Sequence, residues 1–353
     1  GLSEYSTYPL FSLNKKGETM AKNALVFDKR FKNNDYEILF NTVTGLEITR
    51  GINGKEDPFV LELPSLLDIG IMGHCENKCR ICYQGHFKQP DMKLSDFKTI
   101  IDETKHHINQ VALGGRGDPN LHENFKEIIE YCRENNVIPN YTTSGEALSS
   151  EQIGISKYCG AVAVSEYGRF ETYEALRRFI HVGIKTNIHF VVTSENINHV
   201  KRIIAGEYVW DNCGFDVDKL NAVIFLLFKP QGAAAGVPLS PTPEQLQELA
   251  DVMFDPKCKF KVGMDSCMVN HMVKYAKMNP IQRMSIDTCE GSRMSAYITP
   301  DMKFMPCSFA EKDVWAVQME GAEPITKIWK ESEQFQNFRD VLTKHPDSCP
   351  LNL

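Results

Sequence analysis

Long apolar runs are missing from this chain. The longest compelling one, Ala222 to Phe228, is followed at once by Lys229 and falls far short of the ~20 residues a helix needs to cross hydrocarbon. A helical membrane span is therefore excluded, and a buried strand is expected there. No Arg- or Lys-led apolar stretch opens the sequence, which argues against an exported protein. Basic residues are not in surplus either: 39 Lys and Arg face 46 Asp and Glu, a formal net charge of −7. Extended polyanion binding, nucleic acid included, is disfavoured. Internal repeats and low-complexity tracts are absent. What remains, 353 residues with 42% apolar and 24% charged, is a globular mixture large enough for one big domain and an accessory piece.

Cysteine is the residue in supply. Eleven are present, at 75, 79, 82, 132, 159, 213, 258, 267, 289, 307 and 349. An odd number, several of them in core-like patterns, argues against a disulfide framework and for a reducing cytoplasm.

Three rhythms divide the chain. Residues 1–64 carry short β-like runs, ALVFDKR (24–30) and YEILFN (36–41), between Asn-Asn, Thr-Gly and Asn-Gly turn signals, which predicts a small antiparallel leader. From LLDIGIM (66–72) strand and helix patterns alternate through six units to residue 254. Ser95 is the expected cap of the first helix, Gly183 the stop of the fourth, and Thr242-Pro243 the start of the sixth. Six such units predict an α/β fold, a partial (β/α)6 TIM-type barrel over 65–254 that collects ligands at the strands' C-terminal ends; a doubly wound open sheet is the alternative. Residues 255–353, with four more cysteines and a hairpin pattern around Pro300-Asp301-Met302, form an accessory domain.

GHCENKCRICYQG (73–85) places Cys75, Cys79 and Cys82 in C-x3-C-x2-C spacing just beyond the first core strand. Three thiolates on a short loop suit a soft metal centre, either an iron-sulfur cluster or zinc. Zinc needs a fourth ligand, for which His74 or His86 is available. A cubane with three cysteine ligands and one open iron uses the spacing without it.

This loop resembles the signature of the radical S-adenosylmethionine (SAM) superfamily, and the resemblance covers most of residues 66–235. It implies a [4Fe-4S] cluster on Cys75, Cys79 and Cys82 whose open iron binds the amino and carboxylate groups of SAM. One electron then cleaves SAM to a 5'-deoxyadenosyl radical that abstracts hydrogen from substrate. Ile81 stands where the superfamily usually has an aromatic residue. LGGRGDP (113–119) is similar to the glycine-rich segment whose backbone at Gly114 and Gly115 meets the SAM amino group, with Arg116 where many members have Glu. The resemblance further implies cofactor contacts at Ser144 after the third strand, at Ser165 and Glu166 after the fourth, at Arg178 toward the SAM carboxylate, and at Phe228 and Pro230 beside adenine. Helix capping or surface coverage is the structural alternative for the polar members of this set. Asn187 and His189 share one side of the fifth strand and are candidate cavity residues.

The segment CEGSRMSAYITPDMKFMPC (289–307), with Cys349 beyond it, resembles the SPASM and twitch extensions that hold auxiliary clusters in this superfamily. The usual turn glycine is replaced by Met302, so a turn of positive φ is not expected there. The implied ligands of one auxiliary [4Fe-4S] cluster are Cys289, Cys307, Cys349 and a fourth from Cys267, with Cys258 as alternate. Cys132, Cys159 and Cys213 read as small buried apolar groups, with a radical-phase donor or substrate-binding thiol the alternative, above all for Cys213 in its Asp-Asn-Cys-Gly turn.

The resemblance implies an oxidoreductase acting on a peptide side chain, in oxidation or crosslinking of a ribosomally made precursor, and supplied with electrons by a flavodoxin- or ferredoxin-like donor. Asp265, Glu166 and His189 are candidate proton handlers. A dehydrogenase or rearrangement enzyme acting on a sugar, alcohol or antibiotic intermediate, and a non-catalytic iron-sulfur carrier or regulator, are the competing readings.

Overall fold

A computed structural model describes residues 27–353 apart from 208, 211, 276–277, 281–285, 287, 311–312, 320–323 and 353. Its centre is six consecutive strand-helix units. The strands are β4 (Leu66–Met72), β5 (Gln110–Gly115), β6 (Ile138–Thr143), β7 (Val162–Ser165), β8 (Thr186–Val192) and β9 (Ala222–Leu227), and each pairs in parallel with the next. The helices are α1 (Leu94–Thr104), α2 (Phe125–Glu134), α3 (Ser150–Ser156), α4 (Phe170–His181), α5 (Ile197–Ile204) and α6 (Pro243–Met253). Strand order follows chain order without reversal. A doubly wound sheet reverses its order at a switch point, so the sheet is a partial barrel.

Alternation along each strand sorts the two faces. Leu67, Ile69 and Ile71 of β4 are wholly buried under the helices, while Asp68 and Gly70 take the opposite, inner face. Helix α2 shows the complementary pattern, burying Phe125, Ile128, Ile129 and Cys132 at three- and four-residue spacing. Thr242 caps α6 in a reciprocal box with Gln245, as does Ser149 with Gln152 at α3. Gly183, at φ +79°, follows the last turn of α4. Ser95 is not the cap of α1: the helix begins at Leu94, Lys93 holds the cap position without a side-chain bond, and Ser95 lies inside the first turn.

The segment beyond residue 254 extends this sheet at both edges. β10 (Lys261–Met264) adds in parallel to β9 and leads into α7 (Ser266–Met272); β11 (Ser295–Ile298) adds in parallel to β4. β12 (Lys303–Met305) and β13 (Val317–Gln318) continue it antiparallel, and α8 (Ile325–Glu331) and α9 (Glu333–Lys344) pack Trp329, Phe335 and Phe338 over it. The β11–β12 turn does adopt positive φ, at Met302 (+60°), contrary to the sequence expectation. Met302 N–H bonds Thr299 O and Thr299 N–H bonds Lys303 O; the hairpin's register holds the strained residue in place, at a cost of about 1 kcal/mol.

The leader forms an antiparallel sheet of β1 (Lys29–Lys32), β2 (Tyr36–Phe40) and β3 (Glu47–Gly51); residues 24–26 of the expected first run lie outside the described residues. This sheet caps the N-terminal end of the barrel. Lys29 donates to Ile108 O and Asn136 O, Asn109 to Glu47, and Lys185 to Val43 O and Thr44 O, all at residues entering β5, β6 and β8. The opposite, C-terminal end is left open for the site. No helix among the described residues is long and apolar enough to cross a membrane.

Candidate active site and thiol centres

The loop after β4 is braced at its base. Gly73 N–H and His74 Nδ1 both meet Asp91 Oδ1, at 2.7 and 3.1 Å, and Gln89 N–H donates to Gly73 O. His74 is thereby turned toward Asp91, while His86 is exposed. Cys75, Cys79 and Cys82 are half-buried and not in disulfides, with a tight turn closed by Cys82 N–H to Cys79 O. Burial pushes the Cys75 thiol up, and Asp118, Cys79 and Cys82 add to this. Such a group of thiols gains from a cationic soft centre that accepts their charge.

The glycine-rich segment packs directly on this loop. Gly115 sits at φ +114°, and a Cβ there would lie 2.3 Å from Met72 O; a Cβ on Gly114 would meet nothing within 4 Å. The requirement for glycine at 115 thus comes from the close approach of the ends of β4 and β5, whereas Gly114 leaves open space. Arg116 donates to Gln84 O at 2.7 Å and stacks on Phe87, which fastens the far end of the cysteine loop.

The carboxylate that the sequence reading missed is Asp118. Its Oδ2 accepts from Thr143 Oγ1, Ser144 N–H and Ser144 Oγ at 2.7–2.8 Å. Burial raises its carboxyl against these bonds, and its influence on Cys75 and Tyr167 sets it at the mouth of the cysteine loop. Ser144, expected to touch the cofactor, spends its hydroxyl proton on Asp118. The signal available was Asp-Pro at the end of LGGRGDP, two residues past the Arg that drew attention.

Ser165 ends β7 beside Tyr167, whose buried phenol is pushed upward and faces Cys79 and Cys82. Glu166 accepts from Gly168 N–H (2.8 Å) and Tyr173 Oη (3.0 Å); burial raises its carboxyl, these donors and the nearby Trp210 side chain oppose the rise, and its buried Oε2 has no partner at normal hydrogen-bond geometry. That orphaned oxygen suits a hydroxyl-bearing ligand. His189 points into the lumen, 3.4 Å from Thr142 Oγ1, and burial lowers its pKa to about 4, so it is neutral. Asn187 pairs with Asn221.

Four expected site residues have other partners. Arg178 donates to Leu148 O and Ser150 Oγ, so its guanidinium ties α4 to the start of α3. Phe228 N–H bonds Val192 O at 3.1 Å and its ring packs near Ile81, Ala234 and Leu239; together with exposed Pro230, which has no N–H, it leaves only carbonyls for an adenine edge. Asp265 caps α7, accepting from Met268 N–H (2.8 Å) and Leu227 N–H (3.2 Å), and pairs with Lys229 at 3.1 Å. A carboxylate so occupied is a helix cap and an ion pair, not a free base.

The distal cysteines converge. Cys267, Cys289, Cys307 and Cys349 line one cavity of about 1070 Å³ with Asp68, Lys229, Asp265 and Phe309. Burial pushes the Cys267 thiol up to about 12 and Cys289 to about 11, and raises Cys307 well above the ordinary thiol value. Cys258 is absent from this lining and rests against Phe260 O at 3.6 Å. Among the described residues no three His, Cys, Asp or Glu side chains close on a point as a single ion requires; four soft donors around a cavity fit a larger iron-sulfur core. The two thiol centres adjoin, since Ala234 N–H bonds Cys82 O and the Tyr83 and Phe309 rings lie 4.7 Å apart.

No family model matches the chain. Mycofactocin maturase MftC of Mycolicibacterium smegmatis is 24% identical over 305 residues, 79% of this chain and 74% of the relative. Streptococcus suis SuiB bound to its precursor peptide SuiA superposes with a TM-score of 0.64 at 14% identity, over 86% of this chain and 89% of that one. The enzyme anSMEcpe, solved with AdoMet and a Cp18Cys peptide, gives 0.54 at 16% identity, over 77% and 82%. At these identities the likeness is one of fold: the partial barrel with its C-terminal auxiliary extension.

Proposed function

We propose that this chain, which has the radical SAM fold with an auxiliary-cluster extension, is a radical SAM oxidoreductase that modifies a peptide side chain. The observation that carries the reading is the set of half-buried thiols Cys75, Cys79 and Cys82 at the open end of the barrel, packed on the Gly114–Gly117 segment and adjoining a second cavity bordered by four more. SuiB, bound to a precursor peptide, and anSMEcpe, solved with a peptide, support the substrate class. The reduced thiols favour a cytoplasmic setting.

Cys75, Cys79 and Cys82 would hold the first [4Fe-4S] cluster, and Cys267, Cys289, Cys307 and Cys349 the auxiliary one. When bound and reduced by a flavodoxin- or ferredoxin-like donor, the first cluster supplies the electron that cleaves SAM and so generates the hydrogen-abstracting radical. Gly114 leaves space in which the methionine end of SAM would fit, and Asp118, with Oδ2 fixed by Thr143 and Ser144, would supply the carboxylate for its ammonium. Glu166 Oε2 would accept from a ribose hydroxyl of the bound cofactor. The leader sheet closes the barrel's other end, keeping water from the lumen.

Anaerobic reconstitution, followed by incubation with reductant, SAM and libraries of peptides and of small polyols, tests this reading. Release of 5'-deoxyadenosine with a peptide losing two hydrogens is expected. Turnover confined to sugars or alcohols would replace the peptide reading, and no SAM cleavage with a complete first cluster would replace the enzyme by an electron carrier. Asp118→Asn keeps a hydrogen-bond acceptor for Thr143 and Ser144 but loses the charge facing the ammonium. A charge-assisted bond is worth about 1.5–3 kcal/mol, so SAM affinity should fall roughly ten- to hundredfold with iron content unchanged. Equal affinity in an equilibrium binding titration would remove Asp118 from the SAM site.

A further inference from the structure

The auxiliary cavity contains an ion pair that its proposed ligands do not require. Lys229 and Asp265 lie 3.1 Å apart with side chains only 13% and 17% exposed. They follow two neighbouring parallel strands, and Asp265 N–H bonds Phe225 O while Asp265 Oδ1 accepts from Leu227 N–H. The sheet register thus fixes their separation. Lys229 Nζ also donates to Leu227 O at 3.0 Å, lies 4.9 Å from the centre of the Phe309 ring, and faces the Cys267 thiol. The other charged or titratable groups around the cavity are Asp68, Glu290, His271, Lys274 and Asp347. Lys274 is exposed, so Lys229 is the buried lysine among the described lining residues.

We infer that Lys229 and Asp265 are opposed positioning charges that set the reduction potential of the auxiliary cluster, Lys229 raising it and Asp265 lowering it. This rests on the cluster proposed above for Cys267, Cys289, Cys307 and Cys349. A cluster held by four thiolates is anionic and gains another negative charge on reduction. Net charge near the sulfurs and hydrogen bonds to them tune such potentials, and low dielectric strengthens the effect of a charge at this range. An ammonium beside Cys267 favours the reduced form; the carboxylate beside it opposes that. The pair would let the centre accept a substrate electron without becoming so easily reduced that it intercepts electrons meant for the first cluster.

The test uses the full chain with Cys75, Cys79 and Cys82 replaced by alanine, so that only the auxiliary centre reports. After anaerobic loading with iron and sulfide, its potential is read by redox titration monitored by electron paramagnetic resonance. Lys229→Met keeps the stem over Phe309 and should lower the reduced-to-oxidised ratio at the parent midpoint about tenfold, a shift of ~59 mV for one electron. Lys229→Arg should stay within about threefold of the parent. Asp265→Asn retains a good helix cap and should shift the ratio the other way, and the Lys229→Met/Asp265→Asn chain should return toward the parent. Shifts of the same sign in the Met and Asn variants, or a Met variant unmoved, overturn the inference. If Lys229→Met fails to bind iron, Asp265→Asn decides by its sign alone. If the triple-alanine chain alone fails to load, the same titration is read on the chain with all its cysteines; an auxiliary cluster missing from that chain as well refutes the ligand set itself, and this inference with it, and iron counting separates that failure from an unmoved potential.

Discussion

Replacing Cys75, Cys79 and Cys82 together by alanine is expected to cut 5'-deoxyadenosine release by about 10³ or more, because among the described residues these are the thiols at the barrel mouth that would hold the electron-delivering cluster. Iron should fall by about four per chain, one cubane's worth, and the signal of the auxiliary centre should survive. Cys349→Ala provides the reciprocal case. It opens the second site and leaves the first intact, so SAM cleavage should stay within about threefold while product formation collapses. The two outcomes together assign radical generation to one thiol set and substrate oxidation to the other. Equal loss of SAM cleavage in both variants would mean that the centres fold or load as one unit, which the contact of Tyr83 with Phe309 makes a physical alternative. Tetrahedral zinc on Cys75, Cys79 and Cys82, with no spectral response to SAM after iron loading, would end the radical reading altogether.

Local pattern carried the parts of this molecule that depend on spacing. Six strand-helix units were legible because each outer face buries its own side chains, as Leu67, Ile69 and Ile71 do against α1 and its neighbours, and because caps such as Thr242 act within four residues. What the sequence hid was long-range. The bonds of Lys29 and Lys185 to loop carbonyls over a hundred positions apart in some cases turn an apparent leader into the floor of the barrel. Residues beyond 254 return as β10 and β11 to opposite edges of one sheet, which no composition shift could reveal. Side-chain roles followed the same division. Arg178 was assigned by resemblance, yet its reach is settled by the nearby Leu148 carbonyl. Asp118 was overlooked because its importance lies in bonds to Thr143 and Ser144, not in a motif position. Cys267 is the preferred fourth ligand on sequence with Cys258 the alternate, and the fold turns the first into the cavity and leaves the second off its lining.

Asp68→Asn should stabilise the chain in alkaline solution and leave it nearly unchanged in acid. Asp68 takes the inner face of β4 and borders the auxiliary cavity; burial, with Glu290 adding to it, pushes its carboxyl up to about 7 from an ordinary 3.8. Between those values the folded chain holds a proton that the unfolded chain has released. Stability therefore falls as pH rises through that window, the reverse of the usual salt-bridged carboxylate. At about 1.4 kcal/mol per unit the full window amounts to ~4 kcal/mol, and water entering the cavity reduces the realised effect to roughly 2 kcal/mol. An amide has nearly the same shape and no charge to bury. Urea midpoints measured on the cluster-free chain at pH 4 and pH 8 should thus coincide for the two proteins at the lower value and separate at the higher, with the Asp68→Asn chain the more stable. Loading the auxiliary site with an anionic cluster adds negative charge to the same cavity, so the separation at pH 8 should widen. Equal destabilisation at both pH values would instead mean that the carboxylate makes a bond the amide cannot replace.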